Sequence, residues 1–245
     1  YDGGSITVGG TKSKITVVLV GNNTINNGSL TSAWGGDITI TSSNGGTLSI
    51  TKTMDYSGAA TGIEAGYGGS QTTGNVTIMG DAKVIIDMTH NGTSTYEKAY
   101  GIFARENITI SENASADITC ATPKNTTGGD YCNGLYAAKN VIIDTNGTIK
   151  IDVTNAGKDE NNGYSFGVFP MGTATLTKVE NMEVKWKKVA NNSNYPGGAF
   201  KGKASIDPGT HAINVDKDNC FASYRKGAPY TVTVNNGDLA GPGVV

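Results

Sequence analysis

The sequence predicts an all-β solenoid: a single-stranded parallel β-helix of about six coils, each of some 30–38 residues and three short strands, with capped ends. Three observations predict it. A four-residue motif returns at nearly constant spacing. The residues that follow each copy alternate between apolar and polar. Gly, Thr and Asn, which build turns and strands, account for 90 of the 245 residues.

The motif is clearest at Asn75-Val76-Thr77-Ile78. It returns as Asn107-Ile108-Thr109-Ile110, as Asn140-Val141-Ile142-Ile143 and, degraded, as Thr173-Ala174-Thr175-Leu176, at steps of 32, 33 and 33 residues. An earlier copy, Asp37-Ile38-Thr39-Ile40, lies 38 residues upstream. At fixed distances behind each anchor comes an alternating strand. Val84, Ala116, Ile149 and Met182 fill its first apolar position, and Ile86, Ile118, Ile151 and Val184 its second. Met88, Cys120, Val153 and Trp186 fill the third. Period two with one apolar face is the pattern of a half-buried strand. Ahead of the anchors stands a third element: Gly62-Ile63-Glu64-Ala65, Gly101-Ile102-Phe103-Ala104, Gly134-Leu135-Tyr136-Ala137 and Gly167-Val168-Phe169-Pro170.

Such a rung buries its inward residues only against the rungs above and below, so equivalent positions form ladders about 4.8 Å apart. Asn75, Asn107 and Asn140 are expected to make an amide ladder at a turn, and Cys120 to be a buried, unreactive thiol. Residues 14–20 with Asn23-Thr24-Ile25 read as a first coil, and Ala204, Ile206, Ile213 and Val215 as a last one. The tail from Cys220 through Tyr230-Thr231-Val232-Thr233-Val234 to Gly241-Pro242 reads as a cap over the exposed edge. No linker interrupts the pattern, so residues 1–245 are expected to form one domain, with coils over about 5–215 and a cap over about 216–245. No helical period separates the strands, which excludes a TIM barrel or a doubly wound sheet.

Composition narrows the function. Hydrophobic residues make up 37% and charged residues 16%, but the net charge of −2 is far from the strong imbalance of disordered chains. With 6 Pro and no three-residue Gly period, collagen is excluded. A balance of 19 basic to 21 acidic residues gives no electrostatic footprint for nucleic acid. Arg105 and Arg225 are the only arginines, which argues against clustered bidentate recognition of phosphate. No apolar run reaches the roughly 18 residues of a transmembrane helix. A start at Tyr1 rather than Met fits a processed leader, and the polar, Arg-poor composition suits an extracellular or cell-surface bacterial protein. Cys120, Cys132 and Cys220 lack metal-ligand spacing, and with His90 and His211 as the only histidines no metal or other cofactor is expected. Three reduced thiols are the expected state.

One turn of each coil is long. Residues 90–100, 121–133, 155–166 and 187–197 fall at the same point of the repeat and must project from one side. They carry Tyr96, Tyr100, Tyr131, Tyr164 and Tyr195 among Asn, Gly and Ser, a composition suited to adaptable recognition. Beside them alternation places an outward aromatic column of Phe103, Tyr136, Phe169 and, by looser alignment, Phe200. These rings and tyrosines are the candidate binding residues; the competing expectation is that they pack down on the coil as loop anchors. Catalysis is less well supplied. Glycosidic hydrolysis takes two carboxylates some 5–9.5 Å apart. Asp87 and Asp152, outward and two rungs apart, would be separated by about 9.6 Å with Thr119 between them. No Ser/His/Asp arrangement or phosphate-binding glycine loop is present.

Val20-Gly21-Asn22-Asn23-Thr24-Ile25, the Gly-Ile-x-Ala elements and the repeated Asn-Val-Thr-Ile strands resemble secreted right-handed β-helix proteins of gut bacteria, pectin-lyase-like in fold and adhesin-like or carbohydrate-binding in character. The resemblance spans about residues 5–215. It implies a right-handed solenoid, a secreted or cell-surface location and a binding role. The pectinase motifs Asn-Thr-Asp, Asp-Asp, His-Gly and Arg-Ile-Lys are absent, so no catalytic residue carries over. The expected function is non-catalytic binding of glycans or extracellular proteins through the long-loop side. The alternatives are a polysaccharide lyase or glycoside hydrolase and, beyond that, a passive spacer within a larger surface protein.

Overall fold

A computed structural model describes residues 1–68, 73–92, 98–123, 131–155, 165–177, 181–188, 197–200, 204–206, 212–215 and 230–235. The chain winds as a right-handed parallel β-helix, and among the described residues there is no helix. Strands come in triplets, one from each side of the coil. The first is β1 (Asp2–Gly3), β2 (Ile6–Val8) and β3 (Lys14–Val18); the second is β4 (Asn22–Ile25), β5 (Leu30–Ala33) and β6 (Asp37–Ser42). The third is β7 (Thr47–Met54), β8 (Ala59–Tyr67) and β9 (Val76–Gly80), and the fourth β10 (Lys83–His90), β11 (Lys98–Ala104) and β12 (Ile108–Glu112). Then follow β13 (Ser115–Thr122), β14 (Tyr131–Ala137) and β15 (Val141–Thr145), and β16 (Thr148–Asn155), β17 (Ser165–Pro170) and β18 (Ala174–Thr177). The last triplet is β19 (Asn181–Lys188), β20 (Gly197–Phe200) and β21 (Ala204–Ile206), before β22 (Ala212–Val215) and β23 (Tyr230–Asn235). The opening coil is short, so about six full coils follow it.

Stacking joins the first strands of all triplets into one sheet, the second strands into another and the third strands into a third, all in parallel register. The expected ladders form. Ile25, Ile50, Ile86, Ile118, Ile151 and Val184 are paired in one column of the first sheet. Met88, Cys120, Val153 and Trp186 are paired in the next. In the third sheet Ile38, Val76, Ile108, Val141 and Ala174 stack in register. Apart from Trp186, these columns of the first and third sheets interlock in one continuous core with second-sheet residues such as Ile63, Ile102 and Leu135. Cys120 is a free, fully buried thiol whose ionisation burial pushes far up, with the Asp87 charge adding to the effect. Cys132 is buried as well, with its Sγ 3.7 Å from the Thr154 carbonyl oxygen. Cys220 lies outside the described residues.

The asparagine ladder runs along the turn between the second and third sheets. Asp37 Oδ1 accepts from the Asn75 amide and Nδ2 at 2.9 and 3.0 Å, and Asn75 Oδ1 accepts likewise from Asn107 at 3.1 and 3.0 Å. Asn107 Oδ1 accepts from Asn140, both at 3.2 Å, and Asn140 Oδ1 from the Thr173 amide at 3.0 Å. The side-chain oxygens of Asp37, Asn75 and Asn107 thus each satisfy two donors of the next coil and that of Asn140 satisfies one, donors that otherwise would be orphaned at a turn.

At the far end the pattern departs from the sequence reading. Ala204 and Ile206 continue the third sheet on β18, but Ile213 and Val215 belong to β22, which pairs antiparallel with β23. β23 in turn lies antiparallel on β19. An antiparallel pair on the outermost rung satisfies the edge of the first sheet without adding another parallel coil.

Candidate functional site

The outer face of the second sheet is shaped by a recurring glycine. Strand pairing skips Gly62, Gly101, Gly134 and Gly167, where the backbone bends towards the first sheet. A Cβ on Gly101 would stand 2.3 Å from Ile118 Cγ2 and 2.6 Å from the Gly134 oxygen, and one on Gly134 would stand 2.4 Å from Ile151 Cγ2. The bend lets residues three apart, rather than two, share the outer face. Tyr100 therefore reaches Phe103, with ring centroids 5.3 Å apart, and Phe166 reaches Phe169 at 5.1 Å.

Thr31, Glu64, Phe103, Tyr136 and Phe169 form one outward column in register. Its aromatic part is occupied by its own members. Phe103 and Tyr136 stack with centroids 4.9 Å apart and planes 2° from parallel, and Phe169 meets Tyr136 edge-on at 5.0 Å. Tyr100 packs on both Phe103 and Tyr136. The Arg105 guanidinium covers the other side of Phe103, 5.2 Å from its centroid. The rings are thus packed mainly on each other. Tyr100 and Phe169 are buried at 7% and 2% exposure, whereas Phe103 and Tyr136 are half-buried. Burial pushes the Tyr100 phenol far up, and Tyr136, Tyr131 and Glu64 add to the effect.

Two hollows share this face. One of about 470 Å³ lies over the rings and is bordered by Lys98, Arg105, Tyr131 and Met171. The other, about 350 Å³, lies over the first coils and is lined by Ser5, Thr7, Ser29, Thr31, Lys52 and Tyr67. Ala59, Thr61 and Glu64 line both, so the two join end to end along the solenoid axis. At the junction two columns change character within one coil. Glu64 stands where later coils carry Phe103, Tyr136 and Phe169. Lys52 pairs with Met88 at the head of the core column that Cys120 and Val153 continue. The Lys52 ammonium donates to Ser29 Oγ at 3.1 Å, and Ser29 Oγ donates to the Thr61 carbonyl at 2.6 Å. Burial lowers the Lys52 pKa against the attraction of Glu64. Burial raises that of Glu64 against the combined pull of Arg105 and Lys52.

Among the residues expected from sequence, Phe103, Tyr136, Phe169 and Tyr100 come together, with Tyr131 beside them under Lys98 Nζ at 5.5 Å. Phe200 does not join them. It pairs with Val168 and is fully buried, one position off the expected alignment, and in a strand a one-residue shift turns the side chain from the outer face to the core. Tyr96, Tyr164 and Tyr195 lie outside the described residues. Asp87 and Asp152 are exposed on the outer face of a different sheet, the first, with Thr119 in register between them. Sequence reasoning missed Glu64, Lys52 and Tyr67 as site residues. The signal available was that Lys52 and Glu64 stand, in the same coil, in register with positions that are apolar or aromatic in the coils that follow. Among the described residues no cluster of His, Cys, Asp and Glu is arranged to hold a metal ion, and no helix is long and apolar enough to cross a membrane.

Compared with protein-family models, curated proteins and solved structures, the chain matches none.

Proposed function

We propose that this protein is a non-catalytic binding protein of the bacterial cell surface or exterior, and that it holds an extended glycan along the outer face of its second sheet. The observation that carries the reading is the pair of joined hollows running across successive coils, lined by hydroxyls, aromatic rings and a few charges. That mixture, largely preformed and concave, is what small polar ligands require. The register of the column, from Thr7 through Thr31 and Glu64 to Phe169, gives the groove about 24 Å of length at about 4.8 Å per coil, enough for several sugar units. Among the described lining residues Glu64 is the one carboxylate, whereas glycosidic hydrolysis takes two, which favours binding over cleavage.

Calorimetric titration of the chain with soluble polysaccharides, guided by a glycan array, tests the reading. Ala59 is exposed and lines both hollows, so Ala59→Arg is expected to abolish binding. Thr119→Arg, on the exposed face of the first sheet, is expected to leave it intact. An array without a binder, or equal effects of the two substitutions, overturns the proposal.

A further inference from the structure

We infer that the third coil carries a subsite for one neutral hexose unit, in which Glu64 accepts hydrogen bonds from adjacent sugar hydroxyls, Lys52 donates to a third, and the Tyr67 ring stacks on the sugar. The inference rests on the glycan reading of this face and names where, and with what chemistry, the glycan is held.

Three features converge there. Glu64 carries a carboxylate at the junction of the hollows that has no hydrogen-bond or ion-pair partner among the described residues, although Arg105 and Lys52 are near enough to act on its ionisation. A half-buried carboxylate without donors is costly, and a ligand that brings hydroxyls recovers that cost. Tyr67 is 55% exposed and borders the smaller hollow, and no ring among the described residues stacks on it. An exposed ring suits the C–H side of a sugar, whose slightly positive hydrogens are attracted to the negative face of the ring. The backbone directs both side chains to one place. Gly66 adopts φ +87, and the register of β8 against β5 shifts between Ser32 and Ala33, so Glu64 and Tyr67 share a hollow at a spacing of three. A Cβ on Gly66 would stand 2.4 Å from the Thr73 oxygen.

The charge arrangement selects the class of ligand. The Glu64 carboxylate disfavours a carboxylated or sulfated sugar at this position, and Lys52 with Arg105 disfavours a cationic one. A neutral polyol satisfies acceptor and donor together. Trp34 is exposed close by, its amide donating to the Tyr67 carbonyl at 2.8 Å, but its side chain does not line the hollow.

Titration with mixed-linkage β-glucan and galactomannan as neutral probes, and polygalacturonate as an anionic one, tests the subsite. A neutral probe is expected to bind, with affinity at least tenfold lower for Glu64→Gln and for Tyr67→Ala, and within threefold of the parent for Asp87→Asn on the exposed face of the first sheet. Glu64→Gln is expected to keep or slightly raise Tm, which separates loss of a ligand contact from loss of structure. Neutral binding that Ala59→Arg abolishes but Glu64→Gln and Tyr67→Ala leave unchanged overturns the subsite and leaves the glycan face standing. Preference for polygalacturonate overturns the neutral-sugar assignment. Failure of every probe and of the array removes the glycan reading and the subsite with it.

Discussion

The two ends of the groove differ in how completely they are satisfied. Over the fourth to sixth coils the outer column is aromatic and closed on itself: Phe103 lies flat on Tyr136, Phe169 abuts Tyr136, and Arg105 covers the remaining face of Phe103. Over the third coil the same column carries Glu64 without a partner among the described residues, beside an open Tyr67 ring. Groups whose interactions are complete within the fold stabilise it. Groups left incomplete at the floor of a hollow are where a ligand adds something. The aromatic column is thus a satellite core that braces the long-turn side, and the recognition chemistry sits next to it.

The largest expected effect removes the basis of the comparison altogether. Gly101→Val drives side-chain atoms into Ile118 and the Gly134 carbonyl, and is expected to cost about 3 kcal/mol or more and to disrupt both hollows, measured by chemical denaturation. Tyr136→Ala breaks the middle of the ring stack. It is expected to cost about 2 kcal/mol of stability while lowering glycan affinity less than Glu64→Gln does, which would separate the bracing end from the subsite. Asn107→Ala leaves the two Asn140 donors without their acceptor and removes the Nδ2 donor to Asn75 Oδ1, while the backbone N–H donor at position 107 remains. A loss of about 1–2 kcal/mol is expected, with binding retained.

The smallest effect is the most local. Because burial raises the Glu64 pKa, the folded protein holds that proton more tightly than the unfolded chain does. Glu64 therefore lowers stability as pH rises from the ordinary glutamate value through its elevated one, and Glu64→Gln removes this part of the dependence. Differential scanning calorimetry between pH 4 and 7 should show the parent-minus-variant difference in Tm becoming more negative across that window, by about 2 °C or less. Affinity should move the opposite way, falling as acidification protonates the acceptor. Lys52, Arg105, Lys98, Tyr67, Tyr100, Tyr131 and Tyr136 are the other charged and titratable groups that line the same groove among the described residues.

The solenoid was legible in the sequence because stacking makes each coil repeat the constraints of its neighbours. Asn75, Asn107 and Asn140 recur in register because each must bond to the one before it, and Met88, Cys120 and Val153 because each must fill the same depth of core. Legibility failed where that redundancy ends. Phe200 sits in the last triplet, where a short glycine-rich strand offers no anchor, and a shift of one residue exchanges core for surface. Ile213 and Val215 alternate as rung residues do, but pattern alone does not distinguish parallel from antiparallel pairing. The candidate site was half visible. The aromatic column followed from alternation, yet nothing in the spacing says that its rings stack on each other instead of facing outward. Glu64 stood in the aligned element from the start as the exception to an aromatic column. Tyr67 was hidden by the bulge at Gly66, which moves it out of the period-two pattern.

The most direct test follows the side chains themselves. NMR titration of the isotopically labelled chain with a neutral oligosaccharide should give its largest shift changes at Thr31, Glu64 and Tyr67, with smaller changes at the Phe103 and Tyr136 rings. Largest changes at Phe103 and Tyr136, with Glu64 and Tyr67 silent, would contradict the division of the groove into a bracing end and a binding end.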